Sequence, residues 1–150
     1  MNSESGTLTI TGKVVDVVNG NIFPGRIEVT DGIITSVTRI DTTEGPYILP
    51  GLIDAHVHIE SSMLRPSEFA GLSVVHGTTA TVSDPHEIAN VTGKEGIRFM
   101  IQNGKKVPFR FFFGAPACVP ATPFETSGAV IGPEDVDEIL SWPEILYLSE

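Results

Sequence analysis

Pro50-Gly51-Leu52-Ile53-Asp54-Ala55-His56-Val57-His58-Ile59-Glu60 decides how the rest of this chain is read. A turn dipeptide, Pro50-Gly51, launches an apolar run in which every second residue from Asp54 onward is polar. Strand side chains alternate between faces, so the pattern predicts Asp54, His56, His58 and Glu60 on one face. Ile53, Ala55, Val57 and Ile59 then share the other. Two imidazoles and two carboxylates on one side of a buried strand need partners, because unpaired buried polar groups are costly. A divalent metal meets that need, since neutral imidazole suits zinc, iron and manganese alike. His-x-His by itself also fits two histidines on a half-exposed edge strand with nothing bound. The preceding turn, the apolar alternate face and the helix-like segment that follows describe instead a metal site at the carboxyl end of a parallel strand.

Downstream, strand and helix alternate. A strand over 48–59 is followed by a helix over 66–75, with Pro66 at its start and Gly77 just past its end. Thr78 to Ser83 is a β-branched strand that ends at Asp84-Pro85-His86-Glu87. Apolar spacing at Ile97, Met100 and Ile101 predicts a helix over 91–103, stopped by Gly104, and a hydrophobic strand covers 108–113. Residues 132–140 form a helix whose acidic first turn suits the helix dipole, and 145–148 form a last strand. This alternation predicts an α/β fold with a parallel sheet and crossover helices. The near-continuous apolar strands predict burial on both faces. At about 25 residues per unit, residues 49–150 hold four βα units, near half of the about 250 residues that a TIM-like (β/α)8 barrel needs.

Residues 7–49 read differently. Thr7 to Val18 is rich in β-branched residues, Arg26 to Thr30 alternates, and Asp31-Gly32 is a hairpin signal leading to Ile33–Val37. Asn19-Gly20-Asn21 and Pro24-Gly25 mark the earlier turns. The expectation is an all-β module of four or five strands over 1–48, part of a small β-sandwich domain, ahead of a half barrel over 49–150. Such a module is too small to bury much core, and its last strand lacks an evident closing partner.

Composition narrows the function classes. A net charge of −10 over 150 residues argues against a nucleic-acid partner. The polar opening from Met1 to Gly12 does not read as a signal peptide, and no apolar run reaches the length of a membrane span. The single cysteine, Cys118, forms no internal disulfide, which fits a reducing cytoplasm, and it reads as a small buried apolar residue.

Three clusters fall at the carboxyl ends of predicted strands: His56 and His58, then Asp84, His86 and Glu87, then Glu150. That edge is where barrels and open α/β sheets build their sites. Asp84 also fits a plain strand-ending turn, and His86 and Glu87 also fit solvated loop positions. His76 precedes Gly77 at a helix end, where it complements the dipole, and reads as structural.

The run from Pro50 to His58 resembles the first barrel strand of the amidohydrolase superfamily. With Ile59-Glu60-Ser61-Ser62-Met63-Leu64 and Asp84-Pro85-His86-Glu87-Ile88-Ala89-Asn90, the chain more narrowly resembles the adenine deaminase family of bacteria and archaea, over essentially its whole length. The resemblance implies a barrel hydrolase with a two-metal centre, in which His56 and His58 bind one metal and Glu150 bridges both. Many relatives bridge instead through a carboxylated lysine. The last lysine here is Lys106, before the third barrel strand. A carboxylate bridge favours manganese or iron over zinc. Asp84, His86 and Glu87 would take auxiliary roles in metal binding or proton transfer.

The implied reaction is attack of a metal-activated hydroxide on carbon 6 of adenine, releasing ammonia and leaving hypoxanthine, in cytoplasmic purine salvage by a homo-oligomeric enzyme. It is unrelated to the zinc deaminases that carry a Pro-Cys-x-x-Cys signature. The family's further ligands and general base come from strands absent here, so the chain is expected to be the amino-terminal portion of such an enzyme and inactive alone. Two alternatives stand beside this reading: another amidohydrolase acting on a cyclic amide or amidine, and a non-catalytic fragment or binding module.

Overall fold

The computed structural model describes residues 6–150, so the first five residues of the polar opening segment lie outside it. The chain divides into two compact units, Met1–Pro50 and Gly51–Glu150.

In the first unit, β1 (Thr7–Asp16), β2 (Asn21–Thr30) and β3 (Ile33–Arg39) form an antiparallel meander. A short β4 (Tyr47–Ile48) joins β1 in parallel, giving the order β3-β2-β1-β4. Asp31 and Gly32 both take positive φ, 51° and 78°, as a two-residue type I′ hairpin demands. At the β1–β2 turn, Asp16 accepts the backbone N–H groups of Val18 and Asn19 at 3.1 and 3.0 Å. Pro24-Gly25, expected as a turn, instead lies inside β2, opposite Lys13 and Gly12. Close packing selects glycine there, since a Cβ on Gly25 would sit 2.6 Å from Val14 Cγ2. The described residues of this unit make one sheet. Leu8, Ile22, Ile33, Ile34 and Val37 are each at least half exposed on it, so the second layer of the expected sandwich is not among the described residues.

The second unit holds four parallel strands in sequential order, β5 (Leu52–Val57), β6 (Thr78–Ser83), β7 (Arg110–Ala115) and β8 (Ile145–Leu148). Helices α1 (Pro66–Val74), α2 (His86–Thr92), α3 (Lys94–Gly104) and α4 (Pro133–Leu140) lie in the three connections. This is the arrangement of a partial (β/α) barrel. Its core gathers Ile59, Ala89, Ile97, Met100, Phe113, Ile131, Ile139 and Ile145, joining the sheet to α2, α3 and α4.

Four expectations change in detail. The strand predicted over 48–59 is two, β4 and β5, and from Ile59 the chain turns into a 3₁₀ segment (Ile59–Ser62), which takes Glu60 off the strand face. The helix predicted over 91–103 breaks at Gly93, whose φ of 66° suits glycine; its N–H ends α2 on Ala89, and its carbonyl takes Gly96 at the start of α3. Burial on both strand faces is not observed either, because Ile53, Leu146 and Leu148 are more than half exposed on the two edge strands. Cys118 is exposed, since it sits on the long connection between β7 and α4 rather than in a packed element.

Asn103 shows how the helices are tied to each other. Its buried side chain on α3 accepts the Ser67 N–H at 2.8 Å, one of the donors that the first turn of α1 cannot satisfy internally. Asn103→Ala should therefore lower stability by about 1–3 kcal/mol, the cost of leaving a buried donor unpaired. Urea denaturation checks this, and an unchanged midpoint would remove the bond from the account.

Candidate metal centre

The carboxyl ends of the parallel strands share one edge of the sheet, and three of them supply the site. His56 lies in β5, and His58 comes just after it, where the chain enters the 3₁₀ turn anchored by the fully buried Ile59. Asp84 follows β6 directly and is only 4% exposed. His86 opens α2. Past β8, Ser149 N–H donates to the Ala115 carbonyl at 2.9 Å and Ala117 N–H to the Glu150 carbonyl at 3.0 Å, which fastens Glu150 against the end of β7.

Three donor atoms converge closely. His56 Nε2 and His58 Nε2 are 3.1 Å apart, and Glu150 Oε1 lies 3.2 Å from the first and 3.1 Å from the second. His58 Nδ1 is 3.1 Å from the Asp84 backbone carbonyl. A carbonyl only accepts, so Nδ1 carries the proton and neutral His58 offers a bare Nε2 to the triangle. Lone pairs from two imidazoles and a carboxylate repel at this range unless a cation sits among them, either a proton on one imidazole or a metal. Spacings of this size also suit bonds of about 2.0–2.2 Å from each donor to one ion.

Around the triangle, one donor atom each from His58, Asp84, His86 and Glu150 lies within 4.8 Å of the others. Asp84 Oδ2 pairs with His86 Nδ1 at 3.1 Å, while Oδ1 accepts the Ser149 hydroxyl at 2.9 Å. The rings of His58 and His86 meet edge to face, 4.7 Å between centroids. Imidazoles mixed with carboxylates fit a borderline divalent metal such as zinc, iron or manganese.

Five of the six residues proposed for the site thus come together: His56, His58, Asp84, His86 and Glu150. Glu87 does not join them, because its carboxylate accepts the Ser61 hydroxyl. Asp54, two residues before His56 in β5, accepts the His56 backbone N–H at 3.1 Å and stays outside the donor cluster, and Glu60 accepts the Ile88 N–H at 3.2 Å. Ser149 and Tyr147 were not anticipated. Tyr147 donates its hydroxyl to the Ser83 carbonyl at 3.0 Å, one residue before Asp84. Their period-two spacing ahead of Glu150 was the available signal.

The sequence pattern of the amidohydrolase family matches residues 47–145. A protein of Sulfurovum sp. named adenine deaminase is 59% identical over 136 residues, which cover 91% of this chain and 26% of that relative. Proteins of the same name from Salinibacter ruber and Methanosphaera stadtmanae are 54% and 50% identical, over 96% and 95% of this chain and 26% of each relative. The chain spans about a quarter of the length of the curated relatives it matches.

Burial pulls the His58 pKa down, but the Asp84 carbonyl and the carboxylates of Asp84, Glu150 and Glu87 outweigh it, and the net shift is upward from 6.5. A raised value means that the fold favours imidazolium. The resulting stabilisation is complete below the unfolded value of about 6.5 and fades as pH rises through the folded one. A metal needs the bare Nε2, so it competes with this proton and its affinity should climb over the same pH range. An NMR titration of the metal-free protein should place the His58 midpoint above that of a free imidazole, and Glu150→Gln should lower it. An unmoved midpoint in Glu150→Gln would contradict the ion pair.

Proposed function

The chain belongs to the amidohydrolase family, and from that premise we propose that it forms the first part of an enzyme that deaminates adenine hydrolytically to hypoxanthine and ammonia. The observation that carries the proposal is the triangle of His56, His58 and Glu150, a cation-demanding donor set at the sheet edge where barrel enzymes work. The names of the relatives support the choice of adenine as substrate. Asp84-Pro85-His86-Glu87-Ile88-Ala89-Asn90 supports the metal-centre part of the reading, because its first and third residues belong to the same cluster.

In this reading, His56, His58 and Glu150 hold a divalent metal, with manganese or iron favoured by the carboxylate ligands. The chemistry such an ion supplies when bound is a hydroxide nucleophile near neutral pH. Water adds at carbon 6 of the base, the bond to the exocyclic nitrogen breaks, and ammonia leaves after taking up a proton. His86 is the residue of this chain assigned to hold and return that proton. Its Nδ1 is oriented by buried Asp84, which is itself steadied by Ser149, so Nε2 remains for exchange. Glu87 contributes through Ser61 rather than through the donor cluster. The activity would serve purine salvage, and the lone cysteine supports a reducing, cytoplasmic setting.

The test is ammonia release from adenine by a complete enzyme carrying this sequence, with dihydropyrimidines as the contrast. Adenine should be deaminated and the cyclic amides left intact. His86→Asn should lower turnover about 10²-fold or more, the scale of a positioned acid–base group, without a matching loss of stability. No ammonia from adenine would refute the substrate assignment, and unchanged turnover in His86→Asn would return that residue to a structural role.

A further inference from the structure

We propose that Glu60 is a positioning residue for the metal centre, holding the turn after β5 against the start of α2 so that His58 and the Asp84–His86 pair keep one mutual geometry. The inference rests on the metal-centre reading above, and it concerns how that site is kept in register.

The donors come from two separate segments. His58 belongs to the end of β5 and its 3₁₀ turn, and Asp84 and His86 belong to the junction of β6 and α2. Three hydrogen bonds run between these segments: His58 Nδ1–H to the Asp84 carbonyl, Ile88 N–H to Glu60 Oε1, and the Ser61 hydroxyl to Glu87 Oε1. The first sets the tautomer of a candidate ligand. The other two lie just outside the donor cluster and fix where that carbonyl sits.

The second bond answers a need built into α2. The first N–H groups of a helix have no intrahelical acceptor, and a side chain at the N-cap ordinarily supplies one. Here the N-cap is Pro85, which has no side-chain acceptor, and α2 makes no side-chain cap hydrogen bond of its own. A helix of seven residues is also too short to hold its shape by propensity. Glu60 fills the role from 28 positions away, and it sits beside Ile59, whose side chain is fully buried in the core. The segment carrying His58 therefore caps the helix carrying His86.

The role requires an acceptor oxygen at that distance and no charge. Glutamine keeps the oxygen and the length, and alanine removes both. In the metal-free chain, ¹⁵N chemical shifts of the His58 ring should show the Nδ1–H tautomer in the parent and in Glu60→Gln, and a mixture of tautomers in Glu60→Ala. With manganese alone as the probe, Glu60→Ala should bind about 10–100-fold more weakly, the range for groups that orient a ligand from behind, while Glu60→Gln stays near the parent. Should Glu60→Ala not fold, Ser61→Ala and Glu87→Ala each remove the neighbouring bond and should shift both readouts the same way by less. A parental tautomer and manganese affinity in Glu60→Ala would overturn the proposal, as would equal damage in Glu60→Gln. A parent that binds no manganese would refute the metal-centre reading instead, and the tautomer comparison would still decide the role of Glu60.

Discussion

The hydrogen bond from His58 Nδ1 to the Asp84 backbone carbonyl is the constraint on which this site depends. It fixes which ring nitrogen carries the proton and aims the other at His56 and Glu150. It also ties a residue just beyond β5 to one just beyond β6, so the donor set requires the register of those two strands. That register is irregular, shifting between Asp54 and Val57 along β5. An imidazole ligand is usually oriented by a carboxylate or a carbonyl behind it, and here the carbonyl of Asp84 orients one histidine while its carboxylate orients another. One residue therefore serves both sides of the cluster, and burial to 4% exposure is compatible with this because each carboxylate oxygen has a partner.

The members of the donor cluster were legible because they are residue types at fixed spacings. His56 and His58 stood out through the period of a strand, and Glu150 through its place after an apolar run. Glu60 departs from the same pattern. Period-two alternation cannot report that β5 stops at Val57, and the 3₁₀ turn that follows sends Glu60 toward α2. A main-chain acceptor such as the Asp84 carbonyl leaves no trace in residue identity. Ser149 and Tyr147 were visible as letters, but their roles depend on which carbonyl and carboxylate lie opposite, which only the packed sheet decides.

The fold was legible to a similar depth. Alternating strand and helix signals gave the parallel sheet, while glycine was the recurrent source of error. Gly25 reads as a turn residue but serves close packing in β2, and Gly93 reads as the interior of one helix but separates two. Both errors have one cause: glycine supplies either a positive φ or a missing Cβ, and sequence does not say which is in use.

The distribution of burial in the second unit follows from where its polar groups are. The helix-facing side of the sheet holds Phe113, Ala115 and Ile145 in a closed core, whereas Ile53, Leu146 and Leu148 remain largely exposed. Exposed apolar strands of this kind contribute little to stability until something covers them. The donor cluster does not need that cover to form, because the bonds that set it are local to the strand ends: Asp84 to His58, His86 and Ser149, and the main-chain clasp of β8 on β7. Hydrophobic burial against the helices sets the strands side by side, and short hydrogen bonds at their carboxyl ends then set the side chains. The two tasks fall on different residues, which explains how a sheet with one open face still presents an ordered set of donor atoms at its edge.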